Sequence, residues 1–362
     1  MKIIDLRSDT VTLPTPKMRE AMSNAKLGDD VFGEDPTINR LEEISAEKTG
    51  KQAAMLVPSG TMGNLICSLT HCARAEEVIL GNQSHMFYYE AGGMAALGGI
   101  HPHIITNQPD GKMLLSDIDS AVRGDDVHFP RTRLICLENT QNRCGGSVLE
   151  PEYCDLAAAL AKRHGLLLHL DGARIFNAAV ALGIDVKKLT RSADSLMFCL
   201  SKGLSAPVGS MVCGSSEFIA EARRTRKILG GGMRQAGIIA AAGIVALEEM
   251  IDRLAEDHIN AKNLAEGISQ IDGLSIDTSK VQTNIIYFDL LQDNRHKTQD
   301  NRHKTQDNRH KTDEQFLTGL NKRGIKLLNL GPVHFRMVTH YDISSVDIDT
   351  TLTALTEVMK GT

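Results

Sequence analysis

The 362-residue chain has no tryptophan, and aromatic side chains make up only 4 % of it. That scarcity leaves little on which nucleic-acid bases could stack. Neither sign of charge dominates: 40 basic against 45 acidic side chains gives a formal net charge of −5, no field for nucleic acid or an anionic membrane. No apolar run approaches the length of a bilayer span. The opening MKIIDLRSDT has no apolar stretch after its lysine, so a signal peptide is not expected. No C-x-x-C pair occurs, and the seven cysteines, an odd number, sit mostly in apolar stretches such as SLMFCL. They read as buried free thiols of a reducing compartment. The expectation is a cytoplasmic protein without nucleic-acid or membrane partners.

What is present is alternation. Thr15-Pro16 and Asp35-Pro36 each read as an N-cap followed by the first helical residue. The second helix runs through INRLEEISAEKT to Gly50. Strand-length apolar runs then alternate with helical patterns: AAMLV, EEVIL, RLICLE, LLLHLD and SLMFCL. Such alternation predicts a mostly parallel sheet flanked by helices. After the glycine run Gly230 to Gly232, one long helix is expected, with Leu247, Met250, Ile251, Leu254, Ala261, Leu264, Ala265 and Ile268 at helical spacing. NIIYFDL, DEQFLTGLNKRG and HFRMVTH then read as strand, helix and strand of a smaller α+β domain. The division is placed at residues 1–250 and 251–362, with an N-terminal arm belonging to the first. Inside the second, QDNRHKT is repeated three times from Gln292 to Thr312. Each unit is almost devoid of apolar side chains, so the segment is expected to be a disordered insert.

Ligands of parallel α/β sheets sit outside the carboxyl ends of the strands. LLLHLD ends at Asp171, and SLMFCL leads into Ser201-Lys202. One crossover helix fits between them, so a right-handed unit brings Asp171 and Lys202 to one rim. Alone, a lysine is usually a solvated charge and a strand-end aspartate usually a helix cap. Together they suit pyridoxal 5′-phosphate (PLP), whose aldehyde needs an amine and whose pyridine nitrogen needs a carboxylate to stay protonated. VPSGTMGN follows a strand and opens a helix, so Gly60 and Thr61 are candidates to seat the phosphate, with Ser201 adding a hydroxyl. His85 follows another strand and could cover the cofactor ring, or be a hydrogen-bonded loop histidine. His101 and His103 form an H-x-H without a third ligand at useful spacing, so no metal is expected.

These motifs carry a resemblance. LRSDTVT, GDDVFGEDPT, PSGTMGN, the segment from His85 to Gly93, LENT, HLDGARIFNA, LSKGLSAPVGS, GGGMRQAG and FRMVTH resemble the low-specificity L-threonine aldolases. That family lies within the aspartate-aminotransferase (fold type I) superfamily of PLP enzymes. The resemblance implies a fold type I architecture and retro-aldol cleavage of threonine or allo-threonine to glycine and acetaldehyde. It implies Lys202 as Schiff-base lysine, Asp171 and Arg174 on the ring nitrogen and hydroxyl, His85 stacked on the ring, and Gly60 and Thr61 on the phosphate. Ser8, Arg174 and Arg336 would hold the substrate carboxylate, and His128 would lie near the substrate hydroxyl. Lys227 and Arg234 would complete a site shared between subunits of a tetramer built from dimers. Either His85 or His128 could be the base. The loop over residues 141 to 147 and the triple repeat depart from the family pattern. A β-eliminating lyase, an aminotransferase and a non-catalytic PLP-binding regulator remain the alternatives.

Overall fold

The computed structural model describes residues 2–291 and 312–361, in two compact units: Thr12–Ala255, and Met1–Val11 with Glu256–Thr362. The QDNRHKT repeat lies outside the described residues, apart from Thr312, which caps the helix Asp313–Lys322. Among the described residues, no helix is long and apolar enough to cross a membrane.

The larger unit is built on a seven-stranded sheet. Its strands, in chain order, are β1 (Ala53–Val57), β2 (Glu76–Gly81), β3 (His101–Ile105), β4 (Arg131–Glu138), β5 (Leu167–Asp171), β6 (Ser195–Cys199) and β7 (Ser210–Gly214), arranged β1-β7-β6-β5-β4-β2-β3. All run the same way except β7, which pairs antiparallel with both neighbours. β7 follows β6 through a short loop, too short for the crossover that parallel pairing needs. The alternation of side chains buries both faces. In β1, Ala54 and Leu56 join one core with Ile38, Leu41 and Ala240, while Met55 and Val57 join another with Ile66, Cys67 and Val212.

The helix caps follow the sequence reading. Thr15 accepts from Met18 N–H, Asp35 accepts from Thr37 and Ile38 N–H, and Gly50 ends its helix in the left-handed region. The expected single long helix is two, Gly237–Glu249 and Leu254–Ile268, joined by a turn at Met250–Arg253. The apolar stripe is continuous in sequence but serves two cores. Leu247, Met250 and Leu254 belong to the larger unit's core, and Ala261, Leu264, Ala265 and Ile268 to the smaller unit's.

The smaller unit has a four-stranded antiparallel sheet containing Ile285–Leu290 and His334–Val338, with helices Asp313–Lys322 and Ser345–Lys360. The first eleven residues, expected with the large domain, belong to this unit instead. Ile4–Asp5 pairs in parallel with Ile325–Lys326, and Leu6 lies in the same core as Phe288 and Phe335.

Candidate active site

Because β1, β4, β5 and β6 run parallel, their carboxyl ends share one rim. Asp171 ends β5, in register with Glu138 at the end of β4, and is buried. Its Oδ1 accepts from Ala173 N–H at 3.1 Å and its Oδ2 from Asn64 Nδ2 at 2.9 Å. The following residue must be small: a Cβ at Gly172 would lie 2.6 Å from Leu196 and 2.9 Å from the Met197 carbonyl. Lys202 stands in the tight loop from β6 to β7, closed by Ser205 N–H on the Lys202 carbonyl at 2.8 Å. Its amine has no hydrogen-bond or ion-pair partner among the described residues.

The helix Gly60–His71 (α1) begins beside this loop, since a Cβ on Gly60 would sit 2.9 Å from Cys199 Sγ at the end of β6. Ser59 caps α1 by accepting from Met62 N–H, and Gly63 N–H bonds the Ser59 carbonyl. That leaves the Gly60 and Thr61 amides without a protein acceptor among the described residues, at the positive end of a three-turn helix. Ser201 is half-buried next to Lys202.

His85 follows β2 and opens the short helix His85–Tyr88. Its main-chain N–H donates to Glu138 Oε2 at 2.7 Å, and its ring Nδ1 bonds Glu90 Oε1 at 2.8 Å. Asn64 Nδ2 donates to the same Glu90 oxygen at 2.8 Å. Ligand-type atoms of His85, Glu90 and Asp171 thus lie within 4.8 Å of one another. A divalent cation could use that spacing, but donors from Asn64 and the His85 ring already meet the two carboxylates. Burial by itself lowers the His85 pKa; the Glu90 hydrogen bond and the charges of Asp171 and Glu90 outweigh burial and the opposing Lys202, and the net shift is upward. Burial, and then Asp171's charge against two N–H donors, carries Glu138 upward. Glu90 also moves up, through burial in the first place. Arg174, buried just past β5, donates Nη1 to Asn142 Oδ1 at 3.4 Å.

The loop amine of Lys202, the Asp171 carboxylate and the first amides of α1 all lie within the stretch that sequence comparison matches to a known family. The model of the family described as "Beta-eliminating lyase" matches residues 5–291. The chain belongs to the beta-eliminating lyase family. Among this family member's relatives is the "Probable low-specificity L-threonine aldolase 2" of Arabidopsis thaliana, 49 % identical over 361 residues, 99 % of this chain and 98 % of the relative. The "Low specificity L-threonine aldolase" of Escherichia coli K12 is 44 % identical over 342 residues, 94 % and 95 % of the two chains. In fold, the chain is similar to the threonine aldolase of Leishmania major, with a TM-score of 0.80 at 19 % identity over 98 % of this chain and 99 % of that one.

The remaining expected residues of this lyase-family chain fall in three places. Ser8 and Arg336 come from opposite ends of the sequence yet meet in the smaller unit, where buried Arg336 donates Nη2 to the Arg7 carbonyl at 3.1 Å. Lys227 and Arg234 are exposed on the larger unit, Arg234 paired with Asp29 at 3.0 Å. His128 does not reach the rim within its own chain. It is an exposed loop residue bonded to Asp126 at 2.6 Å, ahead of β4, whereas the site lies past the strand's other end. Eight residues of strand separate the two ends, roughly 25 Å.

Four contributors were not singled out from sequence: Asn64, Glu90, Glu138 and His169. The signal for His169 was present, since it stands two residues before Asp171 and so shares its strand face. The H-x-H pair has a structural explanation. His103 bonds buried Glu77 at 3.1 Å and His101 lies 3.7 Å from it, with Arg123 on the same carboxylate.

Proposed function

We propose that the chain is a PLP-dependent low-specificity L-threonine aldolase, cleaving L-threonine, L-allo-threonine and related β-hydroxy amino acids to glycine and an aldehyde. The observation that carries this is the Lys202 amine, without a hydrogen-bond or ion-pair partner among the described residues, in the loop at the rim that holds Asp171. The names of near-full-length relatives supply the substrate.

The donor set fits the cofactor. Lys202 Nζ would hold its aldehyde carbon, Asp171 would keep its pyridine nitrogen protonated, and Arg174 would meet its ring hydroxyl. The Gly60 and Thr61 amides and the Ser201 hydroxyl would take the phosphate. When bound, PLP supplies the electron sink that accepts the pair released as the Cα–Cβ bond breaks.

The protein's own part is proton handling and orientation. Glu90 engages His85 Nδ1, so Nε2 is the atom left to take the β-hydroxyl proton as the aldehyde departs. Cα then gains a proton and glycine leaves, which balances the reaction. Ser8, Arg174 and Arg336 are assigned to the substrate carboxylate on the strength of the family motifs. Of the two histidines, His85 is the base preferred here, because it belongs to the rim of its own chain.

The assembly proposed is a tetramer built from dimers that share sites. Supporting this, Lys227 and Arg234 are exposed, and the apolar Phe32 and Ile228 beside them are 73 % and 83 % exposed. The deciding assay incubates PLP-loaded protein with L-threonine and L-allo-threonine and measures products. Glycine with acetaldehyde is expected. Keto acid with ammonia would indicate β-elimination and overturn the reading.

A further inference from the structure

Behind Asp171 lies a row of polar side chains that the proposed chemistry does not use. Asn64, His169 and Ser195 are each fully buried. His169 and Ser195 are register partners on β5 and β6, on the sheet face that α1 covers. Asn64 and His71 stand seven residues apart on α1, hence on one helix face. His169 Nε2 lies 3.0 Å from Asn64 Oδ1, and its Nδ1 lies 2.9 Å from Ser195 Oγ. Ser195 Oγ in turn lies 2.8 Å from His71 Nε2, whose ring stacks on Phe218 at 4.5 Å.

The proton positions follow by elimination. Two carboxylates, Asp171 and Glu90, face one end of the Asn64 amide, so that end is the NH2 group. Its oxygen therefore faces His169 Nε2, which must carry a proton. Burial holds His169 neutral, down at about 4, so Nδ1 bears none and accepts from the Ser195 hydroxyl. That hydroxyl has then spent its only proton, so it accepts from His71 Nε2 and from the thiol of Cys67, which also meets it. His71 is also held neutral by burial, at about 3. The Ser195 carbonyl also faces the His169 ring, but a proton moved to Nδ1 would leave the Asn64 oxygen against a bare nitrogen lone pair.

We propose that His169 is a positioning residue for Asp171: its Nε2–H locks the Asn64 amide with its NH2 toward the carboxylate. His71, Ser195, His169 and Asn64 thereby form a one-way row of donors ending at Asp171. Each bond polarises the next, which favours the ionised carboxylate. The row carries no mobile proton, since both rings are neutral. This rests on the reading that Asp171 serves the cofactor's ring nitrogen.

The test begins with PLP-loaded enzyme labelled with 15N-histidine, the His169 signals being those absent from His169→Gln. The result expected is a neutral ring protonated on Nε2 from about pH 8 to about 5.5. A ring protonated on Nδ1, or one that titrates in that range, overturns the proposal. Two variants then address function. His169→Leu removes the donor and should lower kcat about tenfold with KM within about twofold, and shift the pH dependence of the cofactor's visible band. His169→Gln keeps an N–H donor and should stay within about threefold of wild type. Equal losses in both variants, or none in either, overturn the positioning role. Failure of the cofactor reading is recognised separately, by a visible band that survives in Lys202→Ala.

Discussion

Lys202 is the residue on which most depends. Lys202→Ala should lose the visible cofactor band and about a thousandfold or more in turnover, because the covalent anchor and the exchanging amine go together. Absorbance and a glycine assay check it, and near-normal turnover would remove the central claim. Asp171→Asn should fold and turn over far more slowly, since the ring nitrogen loses its charged partner; wild-type rates would reduce Asp171 to a cap. His169 yields a pH prediction whose sign follows from the direction of its shift. Its folded pKa, about 4, lies below the unfolded value of 6.5, so between these the unfolded chain binds the extra proton. Stability should therefore fall on acidification through that window, by about 1.4 kcal/mol per pH unit from this residue. Denaturant unfolding of His169→Gln should show a shallower slope there; an unchanged slope would mean that His169 is not a buried neutral ring. Residues at or just past the end of a strand or the start of a helix could be singled out as candidates in sequence: Asp171, Lys202, Gly60, Thr61 and His85. Glu90 and Asn64 were not, because their roles come from partners on other elements. His128 stands ahead of β4 in its own chain, a placement that could not be read in sequence, because a motif gives neighbourhood along the chain and not the end of the strand on which a residue lies.

At the scale of elements, α1 joins the site to the core. Its first turn presents amides with no acceptor among the described residues, and its inner face carries Asn64, Cys67 and His71 toward β5 and β6. Gly60→Ala tests the first turn. The added Cβ would press on Cys199 Sγ at 2.9 Å and move the two amides, so PLP affinity should fall about tenfold or more, with a smaller loss in melting temperature. Equilibrium dialysis against PLP measures it, and unchanged affinity would deny these amides the phosphate. The strands β1, β2, β4, β5 and β6 were legible as apolar runs, because a parallel strand buried on both faces leaves no polar positions. β7 was not, since SMVCG follows the LSKG segment with only a loop, and no helix, between. The division of one helical stripe into two helices was equally hidden: spacing reports that a face is apolar, not which core receives it.

For the whole molecule, the proposed shared-site assembly predicts complementation. Inactive Lys202→Ala subunits mixed with inactive Arg234→Ala subunits should regain part of the activity, because hybrid dimers contain one site with both residues intact. Native mass spectrometry would establish that hybrids form; hybrids without activity would place Arg234 outside any shared site. The division of the chain was legible from the change in pattern after the long helical stretch, but the N-terminal residues were assigned to the wrong unit, since two residues of parallel pairing leave no periodic trace. The sheet order has a consequence for synthesis. β1 is an edge strand whose sole neighbour in the sheet is β7, and Val57 precedes Ser210 by about 150 residues. At roughly 5–20 residues per second, β1 leaves the ribosome some 8–30 s before its partner exists. Throughout that interval AAMLV, apolar on both sides, waits with no strand to pair with, a natural docking point for a chaperone and a hazard for a crowded expression host.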